Sequence, residues 1–322
     1  DFYVLEVKDS TGGLTVGSFL ADLNGLGGGA AVVFASGFLD DAQGEAFGLF
    51  AAFPTGVVVE LPAITGTARV QAIHNAADPA DDTVDVYANG SLFIDDFVFR
   101  TATPFVDVDA GIHVEIAVAP NNSTSSANAI ATFNIGTLAD GESYVVTANG
   151  VLNPGNFDAN PDGLDIAFDL YPFTPAREAG QNGASNVDLV AFHGATDAPA
   201  VDVDVRGGGT LIDNLLYGDY QGYTSVPEDF YVLDVKDSTG ATTVASFIAD
   251  LNGLGGGAAV VFASGFLNPA QGEAFGLFAA FPTGIVVELP AVGTASVQVI
   301  HNAADPAADT VDVYANGSLL ID

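Results

Sequence analysis

The chain contains no cysteine, methionine or tryptophan, and only 6 of its 322 residues are lysine or arginine. Without cysteine there is neither a disulfide framework nor a thiolate metal site, so stability must come from packing and hydrogen bonds. Because a native N-terminus normally begins with methionine, we expect a chain that was processed or that is part of a longer polypeptide. No apolar run reaches the roughly 18 residues of a membrane-spanning helix, so no membrane insertion is expected.

The charge is one-sided, because 41 aspartates and glutamates leave a formal net charge of -35. The number of acids is ordinary for a globular protein, whereas the shortage of cations is not. Such a surface repels phosphate, so we expect no nucleic-acid partner. It suits a salty medium, where counterions screen the self-repulsion. We therefore expect a secreted protein at an extracellular or cell-surface location.

A long internal repeat is the main feature of the sequence. Residues 1–61 recur at 229–289 with 53 of 61 positions identical, and the segment that starts at Thr67 recurs from Thr294. An older repeat relates the stretch after His74 to the stretch after His193. These repeats predict two domain types, A and B, in a longer periodic array. The predicted order is the C-terminal part of a B-type domain (1–64), a complete A-type domain (65–182), a complete B-type domain (183–292) and the N-terminal part of a second A-type domain (293–322).

The hydrophobic pattern has a period of two. The stretches VDVYANG, VDVDVR and FYVLDVKD alternate apolar and polar residues, which predicts half-buried strands. The continuous apolar runs AAVVFASGFL and YVVTANGVL predict inner strands. Turn residues are dense, with 38 glycines and 15 prolines, and no helical pattern of useful length is present. The sequence therefore predicts an all-β fold of tandem immunoglobulin-like antiparallel β-sandwich domains in an array.

One motif resembles a known family. It comprises His193, Asp197, Ala198, Pro199, Ala200, Val201, Asp202 and Val203, with a diverged version at His74, Asp78, Pro79, Asp85, Val86 and Tyr87. These residues resemble the bacterial domain-of-unknown-function family numbered 4397. The resemblance covers both A and B, and it implies secreted or surface-attached β-sandwich modules in tandem with no established activity. Domain A departs from the pattern by inserting residues between Pro79 and Asp85.

A loop in domain A has the spacing of a calcium loop. Asp158, Asn160 and Asp162, followed by Gly163, match D-x-N-x-D-G, and Asp169 falls at the twelfth position. Alternate oxygen ligands of this kind wrap a calcium ion, and the glycine permits the sharp turn. The alternative is an Asx-rich turn that needs no metal. Calcium bound by these four residues is the only cofactor that the sequence suggests.

Two further groups of residues could bind a metal ion or take part in catalysis. Clustered carboxylates in the acidic loop could share a cation, but we favour a solvated loop leading into a strand; they are Asp78, Asp81, Asp82 and Asp85, repeated in part as Asp305, Asp309 and Asp312. Three histidines lie at the same place in the repeat, four residues before an aspartate: His74, His193 and His301. A His–Asp pair can serve a catalytic triad or a metal. We expect instead that each histidine holds the following loop through hydrogen bonds from its ring.

These observations predict a structural rather than a chemical role. No nucleophile elbow and no cysteine accompanies the histidines, so we do not expect an enzyme. Near-identical tandem domains predict the repeat unit of a long extracellular filament or surface adhesin, assembling end to end and between chains for attachment to surfaces or other cells. Its main partners would be copies of itself. The alternative is a calcium-assisted glycan- or surface-binding module, with cell-surface glycans or proteins as partners.

Overall fold

A computed structural model describes residues 2–23, 26–64, 66–293, 298–315 and 318–321. They belong to two compact units, one extending to Ala291 and the other starting at Val292. The described elements are strands and four short 3-10 helices at Asp41–Gln43, Ser126–Asn128, Pro154–Asn156 and Pro306–Ala308. The predicted all-β class with antiparallel sheets is confirmed. Within these residues, no helix is long and apolar enough to cross a membrane.

The N-terminal segment has six strands, β1 to β6: Phe2–Lys8, Thr15–Asp22, Val32–Ser36, Gly48–Ala52, Val58–Glu60 and Ala63–Ile64. They form two three-stranded sheets, β1-β2-β6 and β3-β4-β5. A small core between them contains Phe19, Leu49 and Leu61. The segment is therefore packed on its inner side.

Domain A has nine strands, β7 to β15: Thr67–His74, Thr83–Ala88, Ser91–Val98, Thr101–Ala102, Val106–Asp109, His113–Pro120, Ala131–Thr137, Ser143–Asn149 and Asp169–Phe173. One sheet has the order β10-β7-β14-β15, with β11 also paired to β7, and the other has the order β13-β12-β8-β9. The core contains Ala68, Val84, Ile116, Val118 and Val146. Strands from both sheets contribute to it, as in a sandwich.

Domain B has nine strands, β16 to β24: Asn186–His193, Val201–Val205, Thr210–Leu215, Tyr220–Pro227, Phe230–Asp237, Thr243–Asp250, Ala258–Ser264, Gly276–Ala280 and Val286–Glu288. One sheet has the order β19-β16-β22-β23-β24 and the other β18-β17-β20-β21. The core includes Val203, Val235, Phe247, Ala263 and Leu277. A and B therefore have corresponding pairs of sheets, as their shared motif predicts.

The centre of one sheet in each domain is a parallel strand pair. β14 lies between β7 and β15, and β22 lies between β16 and β23, so both predicted inner strands are confirmed. β14 runs parallel to β7, with His74 opposite Ala148, and β22 runs parallel to β16, with His193 opposite Ala263. Parallel neighbours need a crossover connection, which here passes through the strands of the second sheet.

The outer faces of these two central sheets pack against each other. The resulting A–B cluster is apolar and contains Ile73, Phe105, Val145, Ala176, Val190, Phe192, Val260, Phe262, Phe278 and Ala280. β14 and β22 are thus buried on both faces, which explains why their sequences are continuous apolar runs.

The second unit contains a hairpin of β25, Val313–Ala315, and β26, Ser318–Ile321. Residues 298–301 repeat the end of β7 in sequence but are not in a strand. Their Ile300 side chain is 75% exposed.

Candidate functional site

Each repeat contains a histidine that holds the loop after it. His74 Nε2 lies 2.9 Å from the carbonyl oxygen of Asp81, and His193 Nε2 lies 2.9 Å from that of Pro199. In the second unit, His301 Nε2 lies 2.6 Å from the oxygen of Ala308. Because a carbonyl oxygen only accepts, each Nε2 carries the proton and donates it. The predicted loop-holding role is confirmed.

Burial keeps His74 and His193 neutral. His74 and His193 are almost fully buried. Burial lowers the pKa of His74 to about 4, and it lowers the pKa of His193 as well. The Nδ1 atom of His74 also receives a hydrogen bond of 3.4 Å from the backbone N–H of Ala76. Both ring nitrogens of His74 therefore form hydrogen bonds with the backbone of the loop that follows.

The residue after His74 joins A to B. Asn75 Nδ2 donates to Asn149 Oδ1 at 2.9 Å and to the backbone oxygen of Ala263 at 3.0 Å. Asn149 Nδ2 in turn donates to the hydroxyl of Tyr217 at 3.0 Å. In B the corresponding position is Gly194, where an added Cβ would lie 2.1 Å from Asn75 Nδ2. The motif therefore reads His-Asn in A and His-Gly in B. The Asn75 side chain occupies the space beside Gly194, so residue 194 has no room for a side chain of its own.

Aromatic side chains line the contact between the central sheets. The Tyr220 ring lies 4.6 Å from the ring of Phe192 and 4.9 Å from that of Phe173, with which it stacks. Its hydroxyl is hydrogen-bonded to Thr147 Oγ1 at 2.6 Å. Burial raises the pKa of Tyr220 above its ordinary value, so the hydroxyl stays neutral. Apolar packing and a satisfied polar group are thus combined in one buried side chain.

Two of the six cations of the chain connect A to B. Arg177 donates to the buried carboxylate of Asp188 at 2.7 Å, and its guanidinium lies 4.3 Å from the centre of the Tyr223 ring. Burial alone would raise the pKa of Asp188, but hydrogen bonds, including that from Arg177, lower it. Arg100 donates to the oxygen of Ala274 at 2.7 Å and to Ser264 Oγ at 3.0 Å. Two of the chain's few cations thus contribute to this contact.

The predicted calcium loop also joins A to B. Asn160 Nδ2 donates to the backbone oxygens of Thr196 and Ala198 at 3.0 and 2.9 Å. Asp162 Oδ2 accepts from the backbone N–H of Ala200 at 2.6 Å. Both side chains thereby fasten the loop that follows His193. The Asn160 amide and the Asp162 carboxylate thus form hydrogen bonds with backbone groups of B. The Asx-turn alternative did not include this role.

The other two predicted calcium ligands point to separate partners. Asp158 Oδ2 accepts from Asn268 Nδ2 at 2.8 Å, and Asp169 Oδ1 accepts from the N–H of Leu170 at 2.7 Å. Among the described residues, the only group of three carboxylates with oxygens within 4.8 Å of one another is Asp85, Asp95 and Asp96. Calcium binding by residues 158–169 stays a prediction.

The acidic loop is more buried than a solvated loop would be. Asp78, Asp81 and Asp85 are buried, whereas Asp82 is exposed. Asp78 accepts from the backbone N–H of Leu152 at 2.9 Å, and Asp85 accepts from Ser123 Oγ at 2.5 Å. The interpretation as a solvated loop is wrong for Asp78, Asp81 and Asp85, because all three side chains are buried.

Asp81 is the exception among these acids. No hydrogen-bond donor of the described residues reaches either of its carboxylate oxygens. Burial, and next the charge of Asp78, raise the pKa of Asp81 to about 8. The Asp81 carboxyl is therefore protonated from about pH 4 to about pH 8, a pH range in which an ordinary aspartate is charged. Sequence periodicity gives no sign of this, because an aspartate in a loop reads as exposed.

Comparison of the chain with protein-family models and with curated proteins returned no match. The resemblance of the histidine motif to the bacterial family therefore stays a prediction.

Proposed function

We propose that the chain is a structural repeat unit of a long extracellular filament or surface adhesin, in which A and B form one stiff building block. The observation that carries the proposal is the buried contact between the central sheets of A and B. Domains joined only by linkers move relative to each other unless their interface is large and hydrophobic. Here the A–B cluster is apolar and continuous with both sheets.

Polar contacts surround this cluster and fix its orientation. Three of them cross the contact at 2.6–3.0 Å: the Asn75 amide donates to the backbone oxygen of Ala263, Arg177 pairs with Asp188, and the Asp162 carboxylate accepts from the N–H of Ala200. Apolar packing allows sliding, whereas directed hydrogen bonds define one register. A block with a fixed geometry transmits force along an array without bending at each domain boundary.

The repeat supports serial use of the block. The second half of B occurs at 229–289 and again at 1–61, and the first half of A occurs from Thr67 and again from Thr294. A periodic polypeptide whose units contact mainly their neighbours forms a quasi-linear structure. The net charge of -35 keeps such an array soluble in a salty exterior.

Electron microscopy of native cell-surface or secreted material, labelled with an antibody against the chain, tests this proposal. We expect labelled filaments with an axial repeat that corresponds to one A–B block. Label confined to dispersed globular particles or to the cell interior would refute it. An antibody adsorbed with the purified chain provides the control for specific labelling.

A further inference from the structure

Domain B contains an apolar cavity between its two sheets. The cavity has a volume of about 70 Å³, and its deep wall consists of core side chains of both sheets, including Val203, Leu233 and Leu277. Protein interiors contain few voids larger than a water molecule, so a void of this size is unusual in a packed core. A cavity with an apolar wall stays dry but accepts apolar guests. The chemistry of the wall therefore decides against water and in favour of an apolar occupant.

The cavity reaches the surface at one edge of B. Its wall there belongs to β18 and β19, the edge strands of the two sheets, which among the described residues are not paired with each other. Gly222 of β19 is part of the wall and is exposed to solvent. A Cβ added at Gly222 would meet no atom of the described residues within 4 Å, so the space beside it is open. A small molecule therefore has a route into the cavity between the two edge strands.

The polar side chains of the wall are concentrated near this opening. Gln221 pairs with Ala191 and Thr224 pairs with Leu189, so β19 has a bulge between these two pairs. Gln221 and Thr224 both line the cavity, and both are partly exposed. The cavity is thus apolar at its deep end and polar at its mouth, as is usual for sites that bind small apolar molecules.

The corresponding place in A holds an aromatic ring. Phe97 of A and Leu215 of B occupy matching positions, each opposite the first valine of a VDV stretch. Phe97 is buried, and the centre of its ring lies 5.5 Å from the centre of the His74 ring. In B, Leu215 and the matching His193 both line the cavity. The cavity therefore borders the position that a phenylalanine ring fills in A.

We propose that this cavity is a binding site for a small, neutral, apolar molecule of no more than about six non-hydrogen atoms. Burial of the apolar surface of such a molecule against the deep wall favours binding. A charged molecule is excluded, because the transfer of an ion into an apolar cavity is costly, and the net charge of -35 adds repulsion against anions. Domain B would hold this site in a filament and in a separate molecule alike.

Calorimetric titration of the unmodified chain with benzene tests the site. The Leu215→Phe variant introduces into B the ring that A has at this position, and we expect it to weaken benzene binding at least about ten-fold by filling the cavity. The Leu267→Phe variant adds the same ring at an exposed position outside the cavity wall and should bind benzene as the unmodified chain does. Benzoate, which has the same ring and a negative charge, should not bind. Absence of benzene binding by the unmodified chain, or equal binding by the Leu215→Phe variant, would overturn the inference.

A second test needs no variant and locates the ligand. Methyl resonances of the ¹³C-labelled unmodified chain are followed by NMR as benzene is added. Because an aromatic ring shifts the resonances of nearby methyl groups, we expect changes at Leu189, Val203 and Leu215, which line the cavity. Val70 and Val86, at the positions in A that match Leu189 and Val203, are the internal control and should not shift. Changes confined to methyl groups outside the cavity, or no changes, would overturn the inference.

Discussion

Replacement of Asp81 by alanine should stabilise the protein at neutral and basic pH. Its carboxylate is buried without a hydrogen-bond donor, and burial raises its pKa from 3.8 to about 8. The second copy of the segment already has alanine at the matching position, Ala308. The hydrogen bond from His74 reaches the backbone oxygen of residue 81, so it does not depend on the carboxyl group.

The sign of the effect follows from proton binding. Between pH 3.8 and about 8 the folded state keeps a proton on Asp81 that the unfolded state has released, so stability falls as pH rises. This difference amounts to about 6 kcal/mol at most, and local relaxation reduces it to about 2–4 kcal/mol at pH 8. Loss of the carboxyl group leaves a small cavity that costs about 1 kcal/mol.

We therefore expect Asp81→Ala to raise the melting temperature by several degrees at pH 8 and to have little effect or lower it slightly at pH 4. Burial also lowers the pKa of His74 to about 4, so His74 removes stability as pH falls from 6.5 toward 4. In wild-type protein the protonation of Asp81 adds stability as pH falls and offsets the loss from His74. The Asp81→Ala variant lacks this compensation. Differential scanning calorimetry from pH 4 to 8 measures both effects. Asp82→Ala, at the exposed neighbour, is the control, and a shift for Asp81→Ala that is independent of pH would refute the reasoning.

Three further substitutions test the contact between A and B. Arg177→Gln should destabilise the protein by about 3 kcal/mol in urea unfolding, because it leaves the buried Asp188 carboxylate without its cation; a change below 1 kcal/mol would contradict this. Gly194→Ala should lower the melting temperature by several degrees through its clash across the contact, whereas Gly222→Ala, which meets no atom within 4 Å, should not; equal effects would count against the close approach. Asp162→Ala should lower the melting temperature in EDTA by a few degrees, because it removes the oxygen that accepts the hydrogen bond from the Ala200 N–H of B; a decrease seen only with millimolar Ca²⁺ would favour the calcium prediction instead.

The strand pattern and the inner strands could be predicted because period-two alternation and continuous apolar runs reflect burial directly. β14 and β22 were predicted as inner strands on this basis, and both lie at the centre of their sheets. The same runs do not say what covers the second face. The sequence of β3 is also apolar, yet in the described chain its outer face is open. Which sheet covers this second face depends on residues that are distant in the sequence, and the hydrophobic pattern of a single strand does not reveal them.

Side-chain roles were harder to predict than strands. The spacing of Asp158, Asn160 and Asp162 is the same whether their oxygens accept backbone N–H groups or bind a cation. The role of Asn75 required knowledge that Gly194 faces it, a contact between residues more than one hundred positions apart. The histidines were predictable because their repeated position before a loop suggested a local hydrogen bond.

Electron cryomicroscopy of native filaments that contain the chain would show directly whether A and B form one stiff block. We expect every A and B pair in these filaments to pack through the central sheets, with Phe192 and Phe262 buried between them. Filaments of separated A and B domains with variable angles between them would show that the two domains do not form a block.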